Sequence, residues 1–172
     1  DVTALHKSAS EYGYDFKILD SVMSVNQTQK TIIIGKIKEY FKNDLKGKKI
    51  AVWGLAFKPD TDDVREAPSL YIINELLKEG VSVSVYDPEA MENVKKILGD
   101  KVEYVNDHYE ALKGADALVI ATEWSLFRTP DFNKISQNLK AKVIFDGRNL
   151  YDLKQMEDLG YYYRSIGRKE VK

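Results

Sequence analysis

Residues 50–87 read IAVW, GLAFKPDTDDVREAP, SLYIINELLKEG, VSVSVYD, and this stretch decides the fold. Ile50–Trp53 is a short, wholly apolar run, the pattern of a strand buried on both faces. Ser69–Lys78 carries apolar residues at helical spacing and runs out at Gly80, where a helix C-terminus favours a residue with positive φ. Val81–Tyr86 is a second strand. A strand, a crossover helix and a strand make a parallel unit, because parallel neighbours need a long connection.

The same alternation continues outward. Strands are expected at Val102–Val105, Ala117–Ala121, Val143–Phe145 and Tyr161–Tyr163, and helices at Glu89–Leu98, Tyr109–Leu112, Phe132–Leu139 and Leu153–Leu159. Gly99, Gly114 and Gly160 each close a helical stretch, and Asp107-His108-Tyr109-Glu110 has the spacing of a capping box. The fold expected is α/β, a Rossmann-like doubly wound parallel sheet. Upstream the pattern changes to helical periodicity. Ala4, Leu5, Ser8, Ala9 and Tyr12 precede Gly13, and a longer helix runs from about Phe16 or Leu19 to Phe41. Its stripe is apolar at both ends but carries Asn26, Gln29 and Lys30 in the middle. Asn43–Gly47 reads as a linker, so the expected division is a helical, dimerising segment at 1–45 and a sheet domain at 46–172.

Composition sets the outer limits. In 172 residues, 44% are hydrophobic and 31% charged, which excludes a disordered chain. A chain of 19.7 kDa buries about 70% of its unfolded surface. With 26 basic against 27 acidic residues, no basic field draws in nucleic acid or an anionic membrane. No apolar run reaches the ~18 residues of a membrane span. The lack of cysteine excludes disulfides, cysteine-based zinc sites and thiol chemistry within this chain, and favours a cytoplasmic over a secreted protein.

Ligands in an open parallel sheet bind at the carboxyl ends of the strands, where strand order reverses. Three loops leave strands in that direction: 54–69, 122–128 (TEWSLFR) and 146–149 (DGRN). The first lacks G-x-G-x-x-G, so close approach of backbone to a pyrophosphate is not provided for. It carries Lys58 instead, which is either an anion ligand beside a helix N-terminus or a solvated loop lysine. Asp60, Asp62, Asp63 and Glu66 read as favourable charge before that helix, and no metal site is expected of them. Arg65 lies among these acids and either pairs with one or contacts a phosphate or carboxylate. Asp87 is read as a helix N-cap rather than a ribose ligand, since the glycine fingerprint is missing. Arg148 follows a buried strand and a glycine; it projects toward a ligand or pairs with Asp146 or Asp152. His6 and His108 are expected at the surface, and Trp124 and Phe127 over the core. Asn26 and Gln29 would face a partner subunit or the substrate, because buried amides need partners.

The run GLAFKPDTDDVREAPS, with YDPEAMENVKKILGD, DALVIATEWSLFRTPDF, VIFDGRNLYD and the helix bearing Asn26-Gln27-Thr28-Gln29, resembles the C-terminal part of the UDP-glucose/GDP-mannose dehydrogenase family, in its UDP-glucose 6-dehydrogenase branch. The resemblance implies an enzyme that oxidises the C6 alcohol of a nucleotide sugar twice, with two NAD⁺, through a thiohemiacetal and a thioester on a cysteine. It implies a homodimer joined by the long helix and a Rossmann-like domain that holds UDP or UDP-glucose. Phe57, Lys58 and Arg148 match substrate-binding positions, and Arg65 matches an arginine that reaches NAD. Asp1 matches an aspartate beside the nucleophile, in a supporting role. The nucleophile and most of the NAD site then belong to sequence upstream of Asp1, and this chain alone is expected to be catalytically silent. Three alternatives stay open: a stand-alone NAD(P)-binding module, a purely structural dimerisation domain, or a dehydrogenase for UDP-N-acetylmannosamine or GDP-mannose.

Overall fold

The computed structural model describes residues 2–172. The chain forms two compact units that part between Ile32 and Ile33. The first unit holds α1 (Val2–Glu11) and the first four turns of α2 (Lys17–Tyr40). It is held locally, by the His6–Asp20 contact at 2.7 Å and an edge-on pair of Tyr14 and Phe16. Leu5, Tyr12, Ile18 and Val25 are exposed there.

The second unit contains the sheet. Its six strands are β1 (Lys49–Trp53), β2 (Ser82–Tyr86), β3 (Glu103–Tyr104), β4 (Ala117–Ile120), β5 (Val143–Asp146) and β6 (Tyr162–Ser165). They are parallel throughout and ordered β3-β2-β1-β4-β5-β6. The expected α/β class is therefore observed. Strand order reverses between β1 and β4, which puts the switch point beside the loops after those two strands. Both strands are buried from end to end except Lys49, as their unbroken apolar sequence requires. Each Val, Ile or Leu removed from water there contributes ~1.5–3 kcal/mol.

Helices α3 (Pro68–Lys78), α4 (Met91–Leu98), α5 (His108–Ala111), α6 (Ser125–Arg128), α7 (Phe132–Asn138) and α8 (Leu153–Asp158) connect the strands. Proline opens α3 at the position where a missing N–H costs nothing. Gly80, at φ +75°, closes it, and the Val81 N–H returns to the Leu76 carbonyl. Asp107 caps α5 through the Tyr109 N–H, Asp131 caps α7, and Asp152 caps α8. The last turns of α2 also belong to this unit, since Ile33, Ile34 and Ile37 are buried in its core. Apolar pattern, rather than the charged linker after residue 42, thus marks where the unit begins. Beyond β6 the tail folds back, and Val171 exchanges both backbone hydrogen bonds with Tyr163, so the outer strand edge is partly paired.

Three local expectations are corrected. α4 starts at Met91, not Glu89, because Asp87 holds a separate turn before it and the residue preceding the helix is Ala90. His108 is not a surface residue: its ring packs 4.0 Å from Tyr109 and 5.0 Å from Trp53. Burial lowers its pKa and Lys134 adds to this, while Asp107 opposes it. Asn26 and Gln29 are exposed on α2, so the argument from buried amides does not apply to them.

Candidate nucleotide site

The carboxyl edge of the sheet is organised by two buried carboxylates. Asp87, at the end of β2, is 1% exposed and accepts five hydrogen bonds. Its Oδ2 takes the Leu55 N–H at 2.6 Å, the Ala56 N–H at 3.1 Å and the Trp124 indole Nε1–H at 3.0 Å. Its Oδ1 takes the N–H groups of Glu89 and Ala90 at 2.9 and 2.8 Å. This corrects the reading of Asp87 as the cap of α4: its Oδ1 holds the turn before that helix, which Ala90 precedes. A buried carboxylate is tolerated only when its lone pairs are used, and here the donors come from three loops. In a dinucleotide fold the turn after the first strand offers its N–H groups to a pyrophosphate. Here the N–H groups of Leu55 and Ala56 are already engaged by Asp87, and no glycine fingerprint follows. The residues present do not fit NAD in this crevice.

Glycine sets how closely the first loop approaches its neighbour. Gly54 sits at φ +88°, and a Cβ there would lie 2.5 Å from the Thr122 Cβ and 2.6 Å from its backbone nitrogen. Thr122 then donates its hydroxyl to the Ala56 carbonyl at 2.6 Å, and Ser69 donates to the Leu55 carbonyl at 2.6 Å. Beyond this pinned root the loop turns outward. The Phe57 N–H donates to the Asp63 carbonyl at 2.8 Å, while the Phe57 ring stays 51% exposed. Lys58 is exposed and makes no ion pair with another described residue.

Asp146 performs the matching task at the end of β5. Fully buried, it accepts the Arg148 N–H on Oδ1 at 2.7 Å, and the Leu150 N–H and Tyr163 hydroxyl on Oδ2 at 2.7 Å each. Burial and the Asp146 charge push the Tyr163 phenol far up, so it remains a donor. Asn149, at φ +58°, anchors the far side of the turn by exchanging hydrogen bonds with the Ile166 backbone. Arg148 does not pair through its side chain with Asp146 or Asp152, whose oxygens hold backbone N–H groups. Its partner is Glu123, on the loop after β4, which accepts from Nη2 at 2.6 Å and also from Nε. Burial pushes the Glu123 carboxyl up, but the hydrogen bonds and charge of Arg148 outweigh this and hold it below the ordinary value.

Lys58 and Arg148 therefore leave the same edge of the sheet, from β1 and β5, with β4 and its Glu123 between them. Arg65 is drawn elsewhere: Nε and Nη2 clamp Asp63, whose carboxyl falls to about 2 chiefly through that side-chain bond. Asp62 accepts from Asn93. Among the described residues no group of three or more acidic or histidine side chains is placed to hold a metal. Asn26 belongs to the other compact unit, and Asp1 lies outside the described residues. Sequence reasoning missed Glu123, Thr122 and the inward role of Asp87. Only Asp87 gave a signal, as an acid ending a strand without the glycines that a ribose ligand accompanies.

Residues 51–153 match the UDP binding domain of the UDP-glucose/GDP-mannose dehydrogenase family. The chain belongs to that family. It is 43% identical, over 98% of its length, to a UDP-glucose 6-dehydrogenase of Pseudomonas aeruginosa. It is also 43% identical, over its full length, to UDP-glucose 6-dehydrogenase TuaD of Bacillus subtilis. It spans 38% and 37% of those two relatives' lengths. Among solved structures, a UDP-glucose dehydrogenase from the archaeon Pyrobaculum islandicum superposes with a TM-score of 0.77 at 34% identity, covering 87% of this chain and 33% of that one. All of the loops that build the carboxyl edge fall inside the matched UDP-binding span. No helix among the described residues is long and apolar enough to cross a membrane.

Proposed function

We propose that this chain is the part of a UDP-glucose 6-dehydrogenase that holds the nucleotide of the substrate, and that the longer parent oxidises UDP-glucose to UDP-glucuronate with two NAD⁺. The observation that carries this reading is the pair of cations on one sheet edge. Among the described residues Lys58 has no ion-pair partner, and Arg148 meets Glu123 through Nε and Nη2 but makes no bond through Nη1. A diphosphate needs such groups, and the planar arginine edge suits a phosphate better than a point charge does. Exposed Phe57 beside Lys58 supplies an apolar surface for the rest of the ligand. Within the longer parent, Arg65 reaches toward NAD, Asp1 supports the chemistry, and Asn26 faces substrate or a second subunit. The exposed Ile18, Val22 and Val25 of α2 support association with a second copy of the chain.

Calorimetry on the 172-residue chain tests the site. UDP is expected to bind and to raise the melting temperature, because a ligand of the folded state alone stabilises it. Arg148→Ala is expected to weaken UDP about tenfold or more, and Lys58→Ala by a smaller factor. Tighter binding of NAD⁺ than of UDP would overturn the reading.

A further inference from the structure

The two candidate cations are joined by a continuous chain of contacts whose centre touches no candidate ligand group. Asp87 holds the root of the Lys58 loop through the Leu55 and Ala56 N–H groups. The same oxygen holds the Trp124 indole N–H, and Trp124 follows Glu123, which grips Arg148. Thr122, on the other side of Glu123, donates to the Ala56 carbonyl and closes the link a second time.

We propose that Asp87, acting through Trp124, is a positioning residue of the nucleotide site: it sets the spacing between the Lys58 loop and the Glu123–Arg148 pair. The inference rests on the reading of this edge as a nucleotide site. A fully desolvated carboxylate is an expensive way to end a strand, and a cap for the following turn needs only one oxygen. The second oxygen instead gathers donors from the loops after β1 and β4 and from nowhere else. Two loops that must meet one rigid ligand benefit from this kind of support, because a displacement of about 1 Å is enough to lose binding geometry. The same contacts engage the N–H groups that a dinucleotide pyrophosphate would require, so they also bias the crevice against a dinucleotide.

Trp124→Phe removes the indole N–H together with part of the ring volume of a side chain that is 6% exposed, whereas Asp87→Asn keeps the side-chain shape and removes the charge. Both are tested in the 172-residue chain by calorimetry with UDP and with uridine, beside circular dichroism and melting. The expected result for Trp124→Phe is a native spectrum and a UDP dissociation constant raised about fivefold to tenfold, with uridine affected less. In that background Arg148→Ala is expected to cost less than it does in the parent sequence, because the two act on one geometry. Lower melting temperature with unchanged UDP affinity in both folded variants would make Asp87 merely structural and overturn the proposal. If the parent sequence does not bind UDP at all, the nucleotide reading falls first. Amide exchange at Leu55, Ala56 and Phe57 then decides the loop claim: faster exchange in Trp124→Phe supports it, and unchanged exchange overturns it.

Discussion

The loops after β1 and β5 carry the two cations of the proposed nucleotide edge and orient them differently. The Arg148 turn is held throughout: Asp146 binds its backbone, Asn149 ties it to the end of β6, and Glu123 holds the guanidinium. The Lys58 loop is held at its root by Asp87, Thr122 and Ser69 and farther out by Asn93 on Asp62, but the Lys58 side chain itself has no ion-pair partner among the described residues. One loop arrives with its cation already oriented. The other leaves the ammonium to be ordered by whatever it binds. An oriented group loses little freedom on binding, whereas a flexible lysine gives up several rotamers, so at the proposed site Arg148 would be the better anchor and Lys58 the more adaptable contact.

The contrast begins with the glycine that opens each loop. Gly54→Ala would force a Cβ within 2.6 Å of the Thr122 backbone at a φ of +88°, so the two loops must separate. We expect a loss of ~3 kcal/mol or more in chemical denaturation. Gly147→Ala meets the Ile120 carbonyl at 3.0 Å and Ile33 at 3.5 Å, with no positive φ, and is expected to cost ~1–2 kcal/mol. Equal losses would mean that the two roots are equally constrained. Tyr163→Phe probes the held loop from beneath. It removes one donor from the fully buried Asp146 and should cost ~1–3 kcal/mol in the same measurement.

Acid should separate the loops further. The Glu123 carboxyl lies below its ordinary value in the folded state, so its contribution is complete above the unfolded value of about 4.3. That contribution fades as pH falls through the lower, folded value. Glu123→Gln should therefore remove part of the acid-side loss in melting temperature between about pH 5 and pH 3. If the variant follows the parent curve, the Arg148–Glu123 fork does not set the acid response. The smallest effect belongs to the tip of the Lys58 loop. Arg65→Ala should return the Asp63 carboxyl from about 2 toward the ordinary range in an NMR titration, with the melting temperature unchanged, because both groups are open to solvent.

Much of this architecture is legible in the chain because it depends on local pattern. Apolar runs such as Ile50–Trp53 and Ala117–Ile120 can only be strands covered on both faces, and the glycines and Asp caps between them punctuate the helices. The positions of Lys58 and Arg148 on one edge also follow, since both succeed a strand in a parallel alternation. Partner choice does not follow. The expected mates of Arg148, Asp146 and Asp152, are its neighbours in sequence, yet both are taken up by backbone N–H groups. Glu123 wins because strand order places β4 beside β5, a fact no local spacing contains. Asp87 is the same case at a greater separation: three of its donors lie 31 to 37 residues away and reach it only through the sheet.

The elements, their parallel class and the edge that carries Lys58 and Arg148 were therefore set by the chain's own pattern, because these depend on periodicity and on short-range backbone chemistry. Tertiary structure alone decided which acid holds which cation and which carboxylate turns inward. Those choices depend on desolvation and on distances across strands, and both come into existence only when the sheet closes.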